Sequence, residues 1–256
     1  MAVDEAILEG LITGISLPAL RLYAWDPPCL SIGYAQPIGD VDLDALKVYG
    51  WELVRRPTGG RAILHTDELT YSIIGSQEDP RLAGSVIESY QRLSQALLHA
   101  LTHLGIPAIA EANPALPAGS DPKGPVCFEV PSTYEITYNH KKIIGSAQAR
   151  RKGMLLQHGS FPLQGDLGRI TKVLRFEDEE QRLRAAQRVH ARAATAQEIL
   201  GSALTWEQTA AAFSVAFQQV LEGLELAPAE LNDFEREMAN RLVQEKYNHP
   251  QWTDKV

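Results

Sequence analysis

The chain has 256 residues, 24 lysines and arginines against 32 aspartates and glutamates, and a formal net charge of −8. Its 45% hydrophobic and 22% charged content is that of a globular protein and excludes a disordered chain, a collagen or a coiled coil. The acidic balance argues against a nucleic-acid partner. No apolar run approaches the roughly 18 residues of a membrane helix, and Asp4 and Glu5 stand where a secretory leader carries bases, so a cytoplasmic location is expected.

Ile7, Leu8, Leu11 and Ile12 recur at helical spacing. Leu20–Trp25 reads as a strand closed by Asp26-Pro27-Pro28, and strands follow at Cys29–Tyr34, Trp51–Val54 and Leu69–Ile74. After the third comes Arg55-Arg56-Pro57-Thr58-Gly59-Gly60-Arg61, with Ala62-Ile63-Leu64-His65 continuing the strand. Two glycines permit a tight turn whose N–H groups face an anion or a carbonyl. The plainer alternative is a Gly-Gly turn with solvated arginines.

Ser85-Val-Ile-Glu88 is a capping box that opens a helix carrying Val86, Tyr90, Leu93, Leu97 and Leu101, closed by Gly105 and Pro107. Residues 113–125 hold four prolines and no periodicity, which predicts a mobile surface loop. Cys127 follows it, in Val126-Cys-Phe-Glu129; Pro131 beyond it suggests a strand end or rim in place of ordinary core packing. With only Cys29 as a distant second thiol and no C-x-x-C spacing, neither a zinc site nor a disulfide framework is indicated.

Tyr134–Tyr138, Asn139-His140 and Lys141–Gln148 read as a hairpin, because Asn139 tolerates a positive φ. That register sets Thr137 opposite Lys142 with Glu135 diagonal to it. Strict alternation then places Lys142, Ile144, Ser146 and Gln148 on one face, a polar wall, or else an ordinary half-exposed strand. Gly145 leaves room on the other face. His158, after the Met154–Leu156 strand, lines the same pocket or caps the sheet. Thr195–Glu198 and Thr205–Gln208 are two more capping boxes, the second followed by Phe213, Phe217, Val220 and Leu224 on one helical face. Strands and helices do not alternate regularly, so the fold class is α+β, in a single domain spanning 1–256.

These segments together resemble a known family. Arg-Arg-Pro-Thr-Gly-Gly-Arg at 55–61, Val-Cys-Phe-Glu at 126–129, Lys142-Ile-Ile-Gly-Ser-Ala-Gln148 and Leu156-Gln-His-Gly-Ser160 are similar to motifs of the lipoate–protein ligase/octanoyltransferase family. The nearest branch is the cysteine-dependent, Gram-positive-type octanoyltransferase. The similarity runs from Asp4-Glu5-Ala6 to Lys246-Tyr247 and Trp252, starting at the family's first helix without the short strand that precedes it there.

The resemblance implies a mixed sheet flanked by helices, as in biotin protein ligases and class II aminoacyl-tRNA synthetases. It implies catalytic roles for Cys127 and Lys142, and substrate binding by Arg56, Thr58, Gly59, Gly60, Arg61, His65, Gly145, Ser146, His158 and Gly159, with no metal. It further implies octanoyl transfer from the phosphopantetheine thioester of acyl carrier protein, through Cys127, to a lysine of apo lipoyl domains or the glycine-cleavage H protein. No cofactor is then needed, and a monomer is expected. ATP-using ligases of the family carry a third glycine where Arg61 stands, lack a cysteine at position 127 and often append an accessory domain. These departures favour thioester transfer; the alternatives are an ATP- and magnesium-dependent lipoate–protein ligase, with Lys142 on the α-phosphate, and a non-catalytic acyl-binding subunit. Because the expected protein partners are acidic, Arg55, Arg56, Arg61, Lys141, Arg150, Arg151 and Lys152 are expected to form a basic docking face.

Overall fold

The computed structural model describes residues 1–112, 125–126, 134–223 and 225–256. The first half runs α1 (Ala2–Ile12), β1 (Ala19–Tyr23), β2 (Cys29–Ile32), α2 (Leu43–Tyr49), β3 (Glu52–Arg55), β4 (Ile63–His65), β5 (Glu68–Ser76), α3 (Val86–His103) and β6 (Ile109–Ala112). The second half runs β7 (Tyr134–Tyr138), β8 (Lys141–Arg151), β9 (Met154–Pro162), α4 (Glu179–Arg192), α5 (Ala196–Leu200), α6 (Trp206–Val220), α7 (Asp233–Leu242) and α8 (Pro250–Thr253).

Among the described residues two sheets form. The larger has the order β1-β5-β9-β8-β7-β6, all neighbours antiparallel. The smaller is β3-β2-β4, with β2 parallel to β3 and antiparallel to β4. Residues 62–65 therefore do not continue β3. The chain turns back at Gly59-Gly60 and runs down the other side of β2.

Alternation along β5 decides what each face of the large sheet meets. Leu69, Tyr71 and Ile73 enter a core with Leu93, Leu97 and Leu101 of α3 and Phe213 and Phe217 of α6. Glu68, Thr70 and Ser72 take the other face. At one end that face is covered by α1, whose Ile7 and Leu8 pack on Ile74 and Leu156. All three predicted capping boxes are present, and Asn232–Glu235 adds a fourth at the start of α7. Leu224 and the loop expected over 113–125, except Pro125, lie outside the described residues. The strands on either side of that segment, β6 and β7, are antiparallel neighbours.

The predicted hairpin forms, with φ of 47° at Asn139 and 62° at His140 and Thr137 opposite Lys142. One expectation fails at its far side. Ile136 pairs with Ile144, so Ile143 is an extra residue and the ladder bulges. A bulge reverses the alternation beyond it. Lys142 shares a face with Thr137 and Glu135, while Ile144, Ser146 and Gln148 take the opposite one.

Gly33 and Gly60 bring the two turns beside β2 and β3 into contact, since a methyl group on Gly33 would collide with the Gly60 carbonyl. Gly33→Ala is expected to cost about 1–3 kcal/mol in urea unfolding. Gly39→Ala, which meets nothing, should change stability by less than about 0.5 kcal/mol.

Candidate active site

The Gly-Gly turn is fixed from beneath by Arg56. Its Nε and Nη2 donate to the Gly59 carbonyl at 3.1 and 2.8 Å, Nη2 also to the Arg61 carbonyl at 2.7 Å, and Nη1 to Ser31 O at 3.0 Å. Arg55, fully buried, donates to the carbonyls of Gly33, Tyr34, Gln36, Trp252 and Thr253. Neither guanidinium belongs to an exposed docking face. Both hold main chain, and Arg56 shapes the turn expected to face the substrate. Arg61 is half-buried and Gly59 and Gly60 are exposed on the rim.

Between the two sheets lies a small, mostly apolar cavity, of the concave kind that takes small molecules. The small sheet and its turn contribute Ser31, Arg56, Gly60, Ile63 and His65, and the large sheet Gly145, Ala147, His158, Gly159 and Ser160. Much of the polar chemistry around it is internally satisfied. Ser31 Oγ and His65 Nε2 are 2.8 Å apart, and His65 Nδ1 lies 2.6 Å from Glu68 Oε1. Glu68 also accepts hydrogen bonds from the hydroxyls of Thr70 and Ser160. Trp25 stacks on His65, with ring centroids 4.3 Å apart, and donates to Thr70 Oγ1 at 2.9 Å. Side chains that bond one another leave Ile63, Ala147 and glycine backbone to contact an apolar occupant.

Gly159 permits the closeness of β8 and β9, because a methyl group there would meet the Gly145 carbonyl and Ser146 Oγ. Ser146 adjoins the cavity, yet its Oγ bonds Tyr71 Oη at 2.6 Å toward the helix-covered core. That follows from the bulge.

His158 is buried, with Nε2 2.6 Å from Thr58 Oγ1. Its Nδ1 has no hydrogen-bond partner among the described residues. Burial, assisted by nearby positive charge from Arg56 and the amino terminus, pushes its pKa down to about 3 despite the opposing pull of Asp4. His158 is therefore a neutral imidazole. Burial would raise the Asp4 pKa, but the amino terminus, Arg21 and His158, with the Ser72 hydroxyl, outweigh it and hold it at about 2.

Lys142 Nζ lies 2.7 Å from Glu135 Oε1, with both side chains only 7% exposed. Register places the pair on the face that also carries Gly145, His158 and Ser160. Cys127 lies outside the described residues. Its predecessor Val126 bridges Ala62, and Ala62 N donates to the Pro125 carbonyl at 2.9 Å, so the chain leading to it is tied to the strand below the Gly-Gly turn.

Arg150 and Arg151, also expected on the docking face, do not form one patch with Lys142. Arg150 donates to Gln77, Gly84, Ser85, Ser89 and Gln148, and Arg151 pairs with Glu5 and Glu9. At about 3.3 Å per residue they sit roughly 25 Å along β8 from Lys142. Glu68 and Thr70 escaped the sequence reading, in which Glu135 stands only as the diagonal neighbour of Lys142. A signal for the first two exists: Glu68-Leu-Thr-Tyr-Ser-Ile73 alternates polar and apolar residues in a strand covered on both faces.

Among the described residues no group of three metal-ligating side chains forms, and no helix is long and apolar enough to cross a membrane. The sequence profile of the lipoyl protein ligase A/B catalytic domain matches residues 1–218. The chain is 41% identical over 255 residues to octanoyltransferase LipM of Symbiobacterium thermophilum, covering 98% of this chain and 92% of that protein. It is 39% identical to octanoyltransferase LipM of Lysinibacillus sphaericus, covering 100% and 94%. Among solved structures, it superposes on the bi-partite lipoate protein ligase of Thermoplasma acidophilum with a TM-score of 0.77 and 26% identity, covering 99% of this chain and 91% of that one. A lipoate-protein ligase A bound with ATP gives 0.78 and 27%, covering 99% and 92%.

The neutrality of His158 has a consequence for stability. Unfolded, its imidazole takes a proton below its ordinary pKa of 6.5, whereas folded it resists until about 3. Its contribution is complete above pH 6.5 and falls as the pH drops through that window. Asp4 acts in the same direction, between 3.8 and about 2. Urea unfolding across pH 7 to 4 should show declining stability, and His158→Gln should flatten that slope.

Proposed function

The chain belongs to the lipoyl protein ligase A/B catalytic-domain family, and on that premise we propose a cysteine-relayed transfer of octanoyl from acyl carrier protein to a lipoyl-domain or H-protein lysine. The enzyme is an octanoyltransferase of lipoate biosynthesis, as are its relatives at about 40% identity over nearly the whole chain.

In the first step the Cys127 thiolate attacks the donor thioester carbonyl. A new carbon–sulfur bond forms, and the phosphopantetheine thiolate leaves and takes up a proton. In the second step the neutral amine of the acceptor lysine attacks the acyl-enzyme. The amide forms, the nitrogen loses its proton, and the Cys127 thiolate is regenerated. A thioester is already activated, so neither step calls for ATP or a metal.

The octanoyl tail occupies the cavity between the sheets, where each buried CH₂ supplies about 0.8 kcal/mol. His158, Thr58, His65, Ser31 and Ser160 fix that cavity's walls. Gly59, Gly60 and Arg61 border its mouth. A free thiol has a pKa of about 8.5 and is only slightly ionised at neutral pH, so a cation beside Cys127 raises its thiolate fraction. Lys142 fills that role, or donates to the acyl carbonyl. The observation that carries the proposal is the buried Lys142 ammonium on the face that walls the cavity.

Incubated with octanoyl-acyl carrier protein alone, the protein should gain one hydroxylamine-labile octanoyl group by intact mass. Cys127→Ala should abolish it. Cys29→Ala should not, since Cys29 is buried and its thiol is pushed up to about 12. Transfer to an apo lipoyl domain should then proceed without ATP. Modification only with free octanoate plus ATP would identify a ligase instead.

Lys142→Ala should slow acyl-enzyme formation at least tenfold and move the pH midpoint of Cys127 alkylation upward. Lys142→Arg should restore the midpoint better than the rate, because it keeps the charge and changes the donor geometry. Superimposable alkylation curves would remove Lys142 from thiol activation.

A further inference from the structure

Lys142 does not stand alone on its face of the sheet. Glu135, two residues before its cross-strand partner Thr137, holds the ammonium at 2.7 Å. Behind it Glu111 on β6 pairs in register with Glu135, and accepts a hydrogen bond from Thr137 Oγ1 at 3.1 Å. Glu111 also lies 3.4 Å from His140 Nδ1. Among the described residues Lys142 thus has the Glu135 carboxylate against its ammonium, equally buried, and a second carboxylate, Glu111, one strand further on.

A buried pair is weakly screened by salt, and its charges act on whatever lies beside them. An acyl thioester brings a neutral carbonyl, which asks only for a hydrogen-bond donor and meets a site whose positive charge is already balanced. An acyl phosphate or acyl adenylate carries a negative phosphate bonded directly to the same carbonyl carbon. Seated with its carbonyl at Lys142, it would bring that charge into the field of Glu135, and like charges in a partly desolvated site repel.

Resting on Lys142 at the acyl carbonyl, as read above, we infer that Glu135 is a specificity-determining residue: its carboxylate supplies the counter-charge that an anionic donor would otherwise bring, and so selects neutral thioesters over acyl phosphates and adenylates. Glu135 acts through Lys142 as a positioning group and forms no bond to the acyl chain. Glu135→Gln keeps the shape and a carbonyl oxygen for Nζ while removing the charge.

The test compares kcat/KM for octanoyl-acyl carrier protein and for preformed octanoyl adenylate. The full chain is used without ATP, with an apo lipoyl domain as acceptor and intact mass as readout. Wild type should favour the thioester. Glu135→Gln should move the ratio at least tenfold toward the adenylate, about 1.4 kcal/mol of differential stabilisation. Glu135→Asp should keep the wild-type ratio within about threefold. A folded Glu135→Gln with a ratio within twofold of wild type, or Gln and Asp variants that shift it equally, would overturn the inference.

Should Glu135→Gln fail to fold, the wild-type protein decides. A neutral, unreactive octanoyl-pantetheine amide should bind at least tenfold more tightly than an anionic octanoyl phosphonate ester of adenosine, and equal affinities would overturn the inference. A Lys142→Ala enzyme that retains full activity with both donors would instead overturn the reading on which the inference stands.

Discussion

Arg55 and Arg56 leave the end of β3 in two directions, and each directs its donors at main-chain carbonyl oxygens. Arg55 joins the turn after β2 to the carbonyls of Trp252 and Thr253, and Trp252 Nε1 returns a hydrogen bond to Arg55 O at 2.8 Å. Arg56 joins Ser31 of β2 to the Gly-Gly turn. A buried guanidinium is tolerable only when its donors are met, and an uncompensated one costs several kcal/mol. The turn is therefore held in place by the same force that keeps the charge buried. Through Ser31 Oγ, which Arg56 Nη1 approaches to 3.2 Å, the constraint continues into His65, Glu68 and Ser160. The wall of the cavity and the turn at its mouth form one connected polar network.

Lys142 and Glu135 belong to a different part of the molecule. They stand on the antiparallel β7–β8 ladder, and their side of the sheet is chosen by one extra residue, Ile143. Without the bulge Lys142 would share a face with Ser146, whose hydroxyl meets Tyr71 in the core beneath α3 and α6. The bulge therefore decides whether the ammonium looks into the cavity side or into a core that could not solvate it. Two kinds of local rule thus meet in the site: satisfied donors on the small sheet and a register shift on the large one.

Much of this was legible in the sequence, and the limits were physical. Capping boxes are local, four-residue devices, so those at Ser85, Thr195 and Thr205 could be read directly. The Asn139-His140 turn fixed the hairpin and set Thr137 opposite Lys142. The bulge left no local mark, since Ile143 and Ile144 are both apolar and both buried. Nor did the fate of the arginines, whose partners lie as far away as Trp252 and Thr253. An arginine beside a Gly-Gly turn reads as solvated until a carbonyl from the other end of the chain arrives. Glu68 was overlooked because alternation normally sends polar residues to water, and here the second face is roofed by another sheet.

That roof has a consequence of its own. The cavity lies in the seam between two sheets that share no ladder among the described residues, so its width belongs to neither sheet. It is set by the bonds that cross the seam: Thr58 to His158, and His65 on β4 to Glu68 on β5. Tolerance for a longer or bulkier acyl tail is then a matter of how far the sheets can part. What governs it is this pair of polar couplings, more than the aliphatic groups that line the cavity. A selection for altered chain length would find its variants along the seam, at Thr58, His158, His65 and Glu68.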